Sequence, residues 1–329
     1  MNVRSNPAPR GVVLLSMLLI LALLSALAYQ MVSRQSLVVA QARYTFTHDQ
    51  TLSYALGGEA FARQMLYEDW SQTGAGVDNL TEAWAQPLAP FEIDDGLLEV
   101  QIRDLNGCFN LNSLAGNDAQ QNHVRLKTLL RNLNLPEGIA DSWRDWVDAD
   151  EEISGFGAED GVYLMYDNAY RTANQLAGHI SELKLLKDMQ PEYVTLLEDN
   201  VCVIPTDSLR LNINTAGSHA LAALSPNLAE PQMLTLTEAR RSYTDIAEAT
   251  SEYPELVPAA DALTVNSEYF EVRVRAQVGE SRVELASLLH RDPNDGMLSL
   301  VMRDFGRDFR SRYEADSRVD GFDGARREG

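Results

Sequence analysis

Val12 to Ser33 reads VVLLSMLLILALLSALAYQMVS, 22 residues without one charge, preceded by Arg10-Gly11 and followed by Arg34. At about 1.5 Å of rise per residue, a helix of that length crosses the roughly 30 Å hydrocarbon core of a bilayer. Three readings fit the run. A cleaved secretory signal would use Leu18 to Leu24 as its core and Ala26-Leu27-Ala28 as a small-x-small site. A plain signal anchor would keep Met1 to Arg10, with Arg4 and Arg10 holding the amino end in the cytoplasm. The third reading extends the helix beyond Arg34. No proline occurs between Gly11 and Gln86, and Leu52, Ala55, Leu56, Ala62, Met65 and Leu66 recur three and four apart, the spacing of an amphipathic helix. One helix from Val12 to about Trp70 would run roughly 85 to 90 Å, with Gly57-Gly58 as the expected bend.

A basic leader ending in glycine, an apolar run that starts at once and a helix continuing past membrane length resemble the type IV pilins and their type II secretion relatives, the pseudopilins. The resemblance implies cutting by prepilin peptidase between Gly11 and Val12, methylation of the new amino terminus, and packing of the apolar helix with its neighbours in a filament. The fifth mature residue, glutamate in most such proteins, is Ser16 here. That departure matches the minor pseudopilin K family of type II secretion, which the chain resembles along nearly its whole length.

A net charge of −21, from 48 acidic and 27 basic residues, argues against a nucleic-acid surface, which needs clustered Lys and Arg. Acidic faces suit divalent cations or basic partners. Cys108 and Cys202 are the two cysteines. In a chain sent across a membrane they read as a disulfide, with two buried free thiols as the alternative.

The period changes after Pro87. Phe91-Glu92-Ile93 and Leu97 to Ile102 flank Asp94-Asp95-Gly96 as two strands around a turn. Near the other end, Tyr269 to Gly279 alternates cleanly, Ser281 to His290 comes after a Gly279-Glu280 turn, and Leu298 to Met302 supplies a third strand. These pieces belong to one antiparallel sheet with a wet face, which leaves everything between Asn110 and about Val265 as an insertion.

Within that insertion two phrases recur: Phe109-Asn110-Leu111-Asn112-Ser113-Leu114-Ala115 and Leu211-Asn212-Ile213-Asn214-Thr215-Ala216. Each precedes an amphipathic helix, His123 to Asn132 or His219 to Leu224, and their Asn and Thr side chains are expected to cap it. The second phrase opens like a DNA-binding helix-hairpin-helix, but Ser225 to Pro231 lacks the hairpin glycine and has no basic residue. Both modules are read as scaffolding, of the sterile-alpha-motif-like kind that the family resemblance implies.

The chemistry concentrates in Trp143-Arg144-Asp145-Trp146-Val147-Asp148-Ala149-Asp150-Glu151-Glu152-Ile153-Ser154-Gly155-Phe156-Gly157-Ala158-Glu159-Asp160. From Asp141 to Asp160 there are eight carboxylates and one arginine. Oxygen ligands at this density suit Ca²⁺, which takes six to eight of them at 2.3 to 2.6 Å. Asp148, Asp150, Glu152 and Glu159 fall at positions one, three, five and twelve of an EF-hand, but Ile153 replaces the glycine required at six. The loop is therefore a carboxylate-rich site of another kind, or else a solvated helix end. The segment from Tyr163 through Tyr166, Asn168, Tyr170 and Asn174 to Ile180-Ser181-Glu182-Leu183 resembles the pseudopilin K pattern, in which calcium sites lie in the helical insert. The resemblance implies Asp145, Asp148, Asp150, Glu152, Glu159, Asp160 and Asn174 as ligands. No catalytic constellation emerges from the five histidines or from any nucleophile motif.

The expected protein is α+β. Residues 1–11 form a leader and 12–33 the membrane and filament part of a long amino-terminal helix. Residues 34–108 hold the rest of that helix and the first strands, 109–210 one sterile-alpha-motif-like module with the acidic loop, and 211–265 a second. The pilin-like sheet is completed over 266–305, and 306–329 is a polar tail expected to be mobile. The resemblance implies a single-pass inner-membrane protein with its carboxy-terminal domain in the periplasm. Implied partners are minor pseudopilins I and J, other pseudopilins, the inner-membrane secretion platform and prepilin peptidase. The competing class is a membrane-anchored periplasmic calcium-dependent binding protein with no filament role.

Overall fold

A computed structural model describes residues 12–74, 76–225, 232, 235–236, 241–306 and 309. Gly11, most of Ser225 to Pro231 and nearly all of the tail lie outside the described residues. Helix α1, Val12–Thr73, runs without interruption. Its first half is exposed along nearly its whole length, whereas Thr51, Ala55, Ala62 and Leu66 are fully buried. Gly57-Gly58, the expected bend, lies within this unbroken helix. At Gly58 the helix meets the sheet so closely that a Cβ would stand 2.8 Å from Val274 Cγ1, so the missing side chain serves packing there.

The sheet contains β1 (Phe91–Ile93), β2 (Gly96–Asp104), β7 (Tyr269–Val278), β8 (Ser281–Arg291) and β9 (Leu298–Asp304), all antiparallel and in that spatial order. Alternate residues Val100, Ile102, Phe270, Val272, Val274, Ala276, Val283, Leu285 and Leu289 face α1 and form one core with Ala55, Ala62, Leu66 and Trp84. Each large aliphatic side chain buried this way contributes about 1.5 to 3 kcal/mol relative to exposure. Glu59 is the charge inside that core. Ser287 Oγ donates to it at 2.6 Å, and Arg303 of β9 does so twice, at 2.7 and 2.9 Å. Burial pushes its carboxyl up, but Arg303, Ser287 and Arg63 bring it below the usual value, so the edge strand is held to α1 by a paired charge.

Between β2 and β7 the chain leaves for residues 105–268 and returns beside its point of departure, since Asp104 pairs with Phe270. Two modules fill the excursion. The first closes where β3 (Phe109–Asn110) pairs in parallel with β4 (Val201–Cys202), and the second where β5 (Leu211–Asn212) pairs in parallel with β6 (Leu263–Thr264). Between β3 and β4 lie α2 (Ala119–Asn132), α3 (Gly138–Val147), the one-turn α4 (Asp160–Tyr163) and α5 (Pro191–Glu198). Helix α6 (Ser218–Leu224) and the helix Ile246–Glu252 belong to the second module.

The repeated phrases perform a different task from the one their sequence suggests. The N-caps of α2 and α6 are Asp118 and Gly217, and neither makes a side-chain capping bond. Instead, Asn110 Oδ1 accepts from Asn112 N and Asn212 Oδ1 from Asn214 N. The second asparagine of each phrase then brackets one distant peptide. Asn112 accepts from Ala177 N and donates to Ala177 O, and Asn214 does the same with Tyr243. Two residues beyond each bracket comes a helix N-cap, His179 or Asp245. A buried amide with both faces satisfied resists replacement, because any change orphans a backbone group. The two modules are thus built around the same hydrogen-bonded device.

The excursion is clasped at its base by buried polar groups. Ser267 Oγ and Thr215 Oγ1 donate to Asp104 Oδ2, Ser267 N donates to Asp78, and Asn106 Oδ1 accepts from Glu268 N and Tyr269 N. Arg291 Nη2 donates to Asp78 at 2.6 Å. Cys108 and Cys202 are bonded, with Cα atoms 5.8 Å apart. They lie in a small core with Leu105, Ile204 and Leu288 between sheet and insert. Beyond β9, Phe309 lies under the Arg275 guanidinium, 4.5 Å from its ring centroid, and its N–H donates to Glu284.

Two measurements test these constraints. Closing 94 residues of chain is worth about 4 to 5 kcal/mol in the chain-entropy account, usually less in practice. The double variant Cys108→Ser, Cys202→Ser should therefore lose roughly 2 to 4 kcal/mol of stability in urea unfolding under oxidising conditions. Burial lifts the Asp104 carboxyl to about 6, with Ser267 and Thr215 pulling it part of the way down and Asp78 adding to the rise. A raised folded-state pKa stabilises below the unfolded value near 4, and that contribution is lost as pH rises through about 6. Asp104→Asn should accordingly flatten the fall in melting temperature between pH 4 and 6.5, compared with the parent protein in the same EDTA-containing buffer.

Candidate metal centre

Helix α3 ends at Val147, and the chain from Asp148 to Glu159 loops back over its carboxy-terminal turns. Asp145 is fully buried on α3. Its Oδ1 accepts from Ser154 N at 3.0 Å, while Oδ2 takes no hydrogen bond. Three further oxygens share that condition: Asp148 Oδ1, Glu159 Oε1 and Asn174 Oδ1. Glu159, 4% exposed, uses its other oxygen to accept from Thr172 Oγ1. Asn174 adopts a positive φ of 45° and donates its N–H to Trp146 O at the end of α3. Asparagine tolerates that conformation better than most residues.

Buried oxygens without donors are costly, at about 1 to 3 kcal/mol each and more when charged. The electrostatics agree. Burial raises the Asp148 carboxyl to about 6, with the charges of Asp150 and Asp145 adding to the rise, and Arg144 offsets only part. Glu159 is pushed to about 7, first by burial and then by Asp145, Asp148 and Asp150, against the Thr172 bond. Asp145 is raised by burial and by Asp141, although loop N–H groups work against the rise. Acceptors that repel one another around shared space fit a hard divalent cation, and one carrying a fixed +2 charge would reverse each of these shifts.

The predicted ligands divide. Asp145, Asp148, Glu159 and Asn174 offer open buried oxygens, and Asp150 acts on them through its charge. Asp160 is engaged elsewhere, since it accepts from Thr172 N and Oγ1 at 3.0 Å and pairs with Arg171 at 2.7 Å. Glu152 is exposed, and its N–H donates to Asp150 Oδ1. Thr172, Lys127 and His123 have parts in the site's architecture that sequence spacing does not show, because their partners lie 12 to 18 residues away. Gly157 carried a signal in the sequence, as a second glycine within three residues of an acidic loop: a Cβ there would collide with Asp145 Oδ2.

Among the described residues, the carboxylates whose oxygens all come within 4.8 Å of one another are Asp69, Asp78 and Glu82. There Arg291 already supplies the positive charge. The acidic-loop carboxylates do not meet that spacing.

Residues 107–206, the first module with this loop, match the family model described as type II secretion system (T2SS), protein K. The chain is 34% identical to type II secretion system protein K of Pseudomonas aeruginosa over 313 residues, covering 90% of this chain and 92% of that one. It is 31% identical to the Aeromonas hydrophila protein of the same name, over 88% of this chain and 95% of the relative. Among solved structures, the crystal structure of the GspK-GspI-GspJ complex from enterotoxigenic Escherichia coli contains a chain that superposes with a TM-score of 0.72 at 25% identity. The match covers 82% of this chain and all of that one. With 34% identity sustained over 90% of its length, the chain belongs to the type II secretion system protein K family.

Proposed function

We propose that this minor pseudopilin sits at the tip of the pseudopilus, starts its assembly with pseudopilins I and J, and carries structural calcium in its first module. One observation carries the tip assignment. The insert springs from the end of the sheet where Asp78, Asp104 and Arg291 meet Asp69 at the end of α1. Asp69 lies 57 residues along the helix from Val12, or about 85 Å at 1.5 Å per residue. Two modules at the membrane-distal end would collide with a subunit stacked above, whereas nothing stacks above a tip. The structural relative comes from a complex with GspI and GspJ, which supports the same partners for this chain.

The amino-terminal half of α1 is long and apolar enough to cross a membrane and anchors the protein singly, with the head in the periplasm. Ser16 fits a subunit that needs no neighbour above it. Its hydroxyl donates to Val13 O at 2.9 Å within its own helix, so no partner charge is required, whereas glutamate buried in a filament core needs a counter-charge. Calcium would be held by Asp145, Asp148, Glu159 and Asn174, with Asp150 close by, and would tie the loop to α3 and to the segment that carries Asn174.

Protein purified from native membranes should begin at Val12; a terminus at Tyr29 would exclude the filament role. Ser16→Glu should reduce pseudopilus initiation, counted as filaments per cell, and unchanged counts would remove Ser16 from the mechanism. For calcium, the sign comes from the raised carboxyls. In EDTA, protons on Asp148 and Glu159 stabilise the loop at low pH, and that help disappears as pH rises through about 6 to 7. Calcium needs the ionised forms, so at a fixed Ca²⁺ concentration the gain in melting temperature should grow from pH 5 to 7.5; where that concentration is a hundredfold above Kd, the stability gained is about 2.7 kcal/mol.

A further inference from the structure

Two carboxylates one turn apart on α3 hold the acidic loop, and they hold it differently. Asp145 spends one oxygen on Ser154 N and leaves the other open. Asp141, whose side chain is 2% exposed, is fully engaged. Its Oδ1 meets His123 Nε2 at 2.7 Å and Lys127 Nζ at 2.6 Å, and its Oδ2 accepts from Phe156 N at 3.1 Å. His123 and Lys127 are themselves one turn apart on α2, so Asp141 joins the loop to a second helix.

The loop is shaped for this grip. Gly157 N donates to Ser154 O at 2.8 Å, closing a turn over Ser154-Gly155-Phe156-Gly157. Gly155 has φ of +55°, and a Cβ there would lie 2.6 Å from Asp141 Oδ2. Gly157 is under the same restriction against Asp145. Both glycines permit backbone to lie directly on a carboxylate. Fully buried Ala158 and then Glu159 come immediately after, so the turn sets where Glu159 Oε1 points.

From this geometry we infer that Asp141 is a positioning residue for calcium, locked by Lys127 and His123 and acting through the Phe156 N–H to place Glu159 and Asp145 without touching the ion. The inference rests on the calcium reading above. Outer-shell partners of this kind typically change metal affinity by roughly 10- to 100-fold.

The test is calorimetric titration of Ca²⁺ into the full-length protein in detergent, comparing parent, Asp141→Asn, Lys127→Met, Lys127→Arg and Asp145→Asn, with melting in EDTA as the check on folding. Expected are a roughly 10- to 100-fold weaker Kd at unchanged stoichiometry for Asp141→Asn and a weaker Kd for Lys127→Met. Lys127→Arg should restore affinity, and Asp145→Asn should lose a site. Lys127 is part-exposed, so its two variants carry the test if Asp141→Asn fails to fold. Parent-like Kd in Asp141→Asn and Lys127→Met, with Asp145→Asn still losing a site, would overturn the positioning role and leave the calcium reading intact. No heat of binding in the parent protein would overturn both.

Discussion

The structure depends on one closure: a chain that leaves the sheet at Asp104 must come back at Tyr269, beside the place it left. Strand β7 cannot pair with β2 unless the whole excursion returns in register. The return is enforced by groups that water cannot serve. Asp104, Asp78, Asn106, Asn212 and Ser267 are all buried and hydrogen-bonded to one another or to nearby backbone. Each would cost more unpaired than it contributes paired, so the clasp selects one docking of insert on sheet. Leu105, Ile204 and the bonded cysteines add apolar contact on the same seam.

Helix α1 answers to two solvents. Its first half offers leucine and valine on all sides, suited to hydrocarbon or to other apolar helices. Its second half narrows to a stripe of small residues and one leucine that lets β7 approach. Gly58 marks the closest contact, and Glu59 beside it draws Arg303 from the edge strand, so the head is attached rigidly to the helix that carries it. Any force on the head passes to the helix through this contact.

The duplicated brackets give the two modules of the insert one common frame. Asn112 and Asn214 grip Ala177 and Tyr243 in the same way, and each module closes with a two-residue parallel pair. The stretch between α6 and Tyr243 carries two acidic residues and two arginines, whereas eight carboxylates crowd residues 141 to 160. The first module therefore devotes its longer connection to an acidic loop.

Periodicity determined most of the architecture from sequence alone. An uncharged run of 22 residues, the continued helical spacing, the alternation after Tyr269 and the repeated Asn-x-Asn phrase are one-dimensional patterns, and local geometry converts them directly into elements. The carboxylates of Asp145, Asp148 and Glu159 were legible as a dense acidic stretch, and Asn174 by resemblance. Tertiary structure decided the rest. That Asp160 pairs with Arg171, that Asn112 brackets Ala177 and that Gly58 seats β7 depend on groups about ten to two hundred residues away. Hydrogen bonds and desolvation act over a few ångströms of space, and distance along the chain carries no record of which groups folding brings that close.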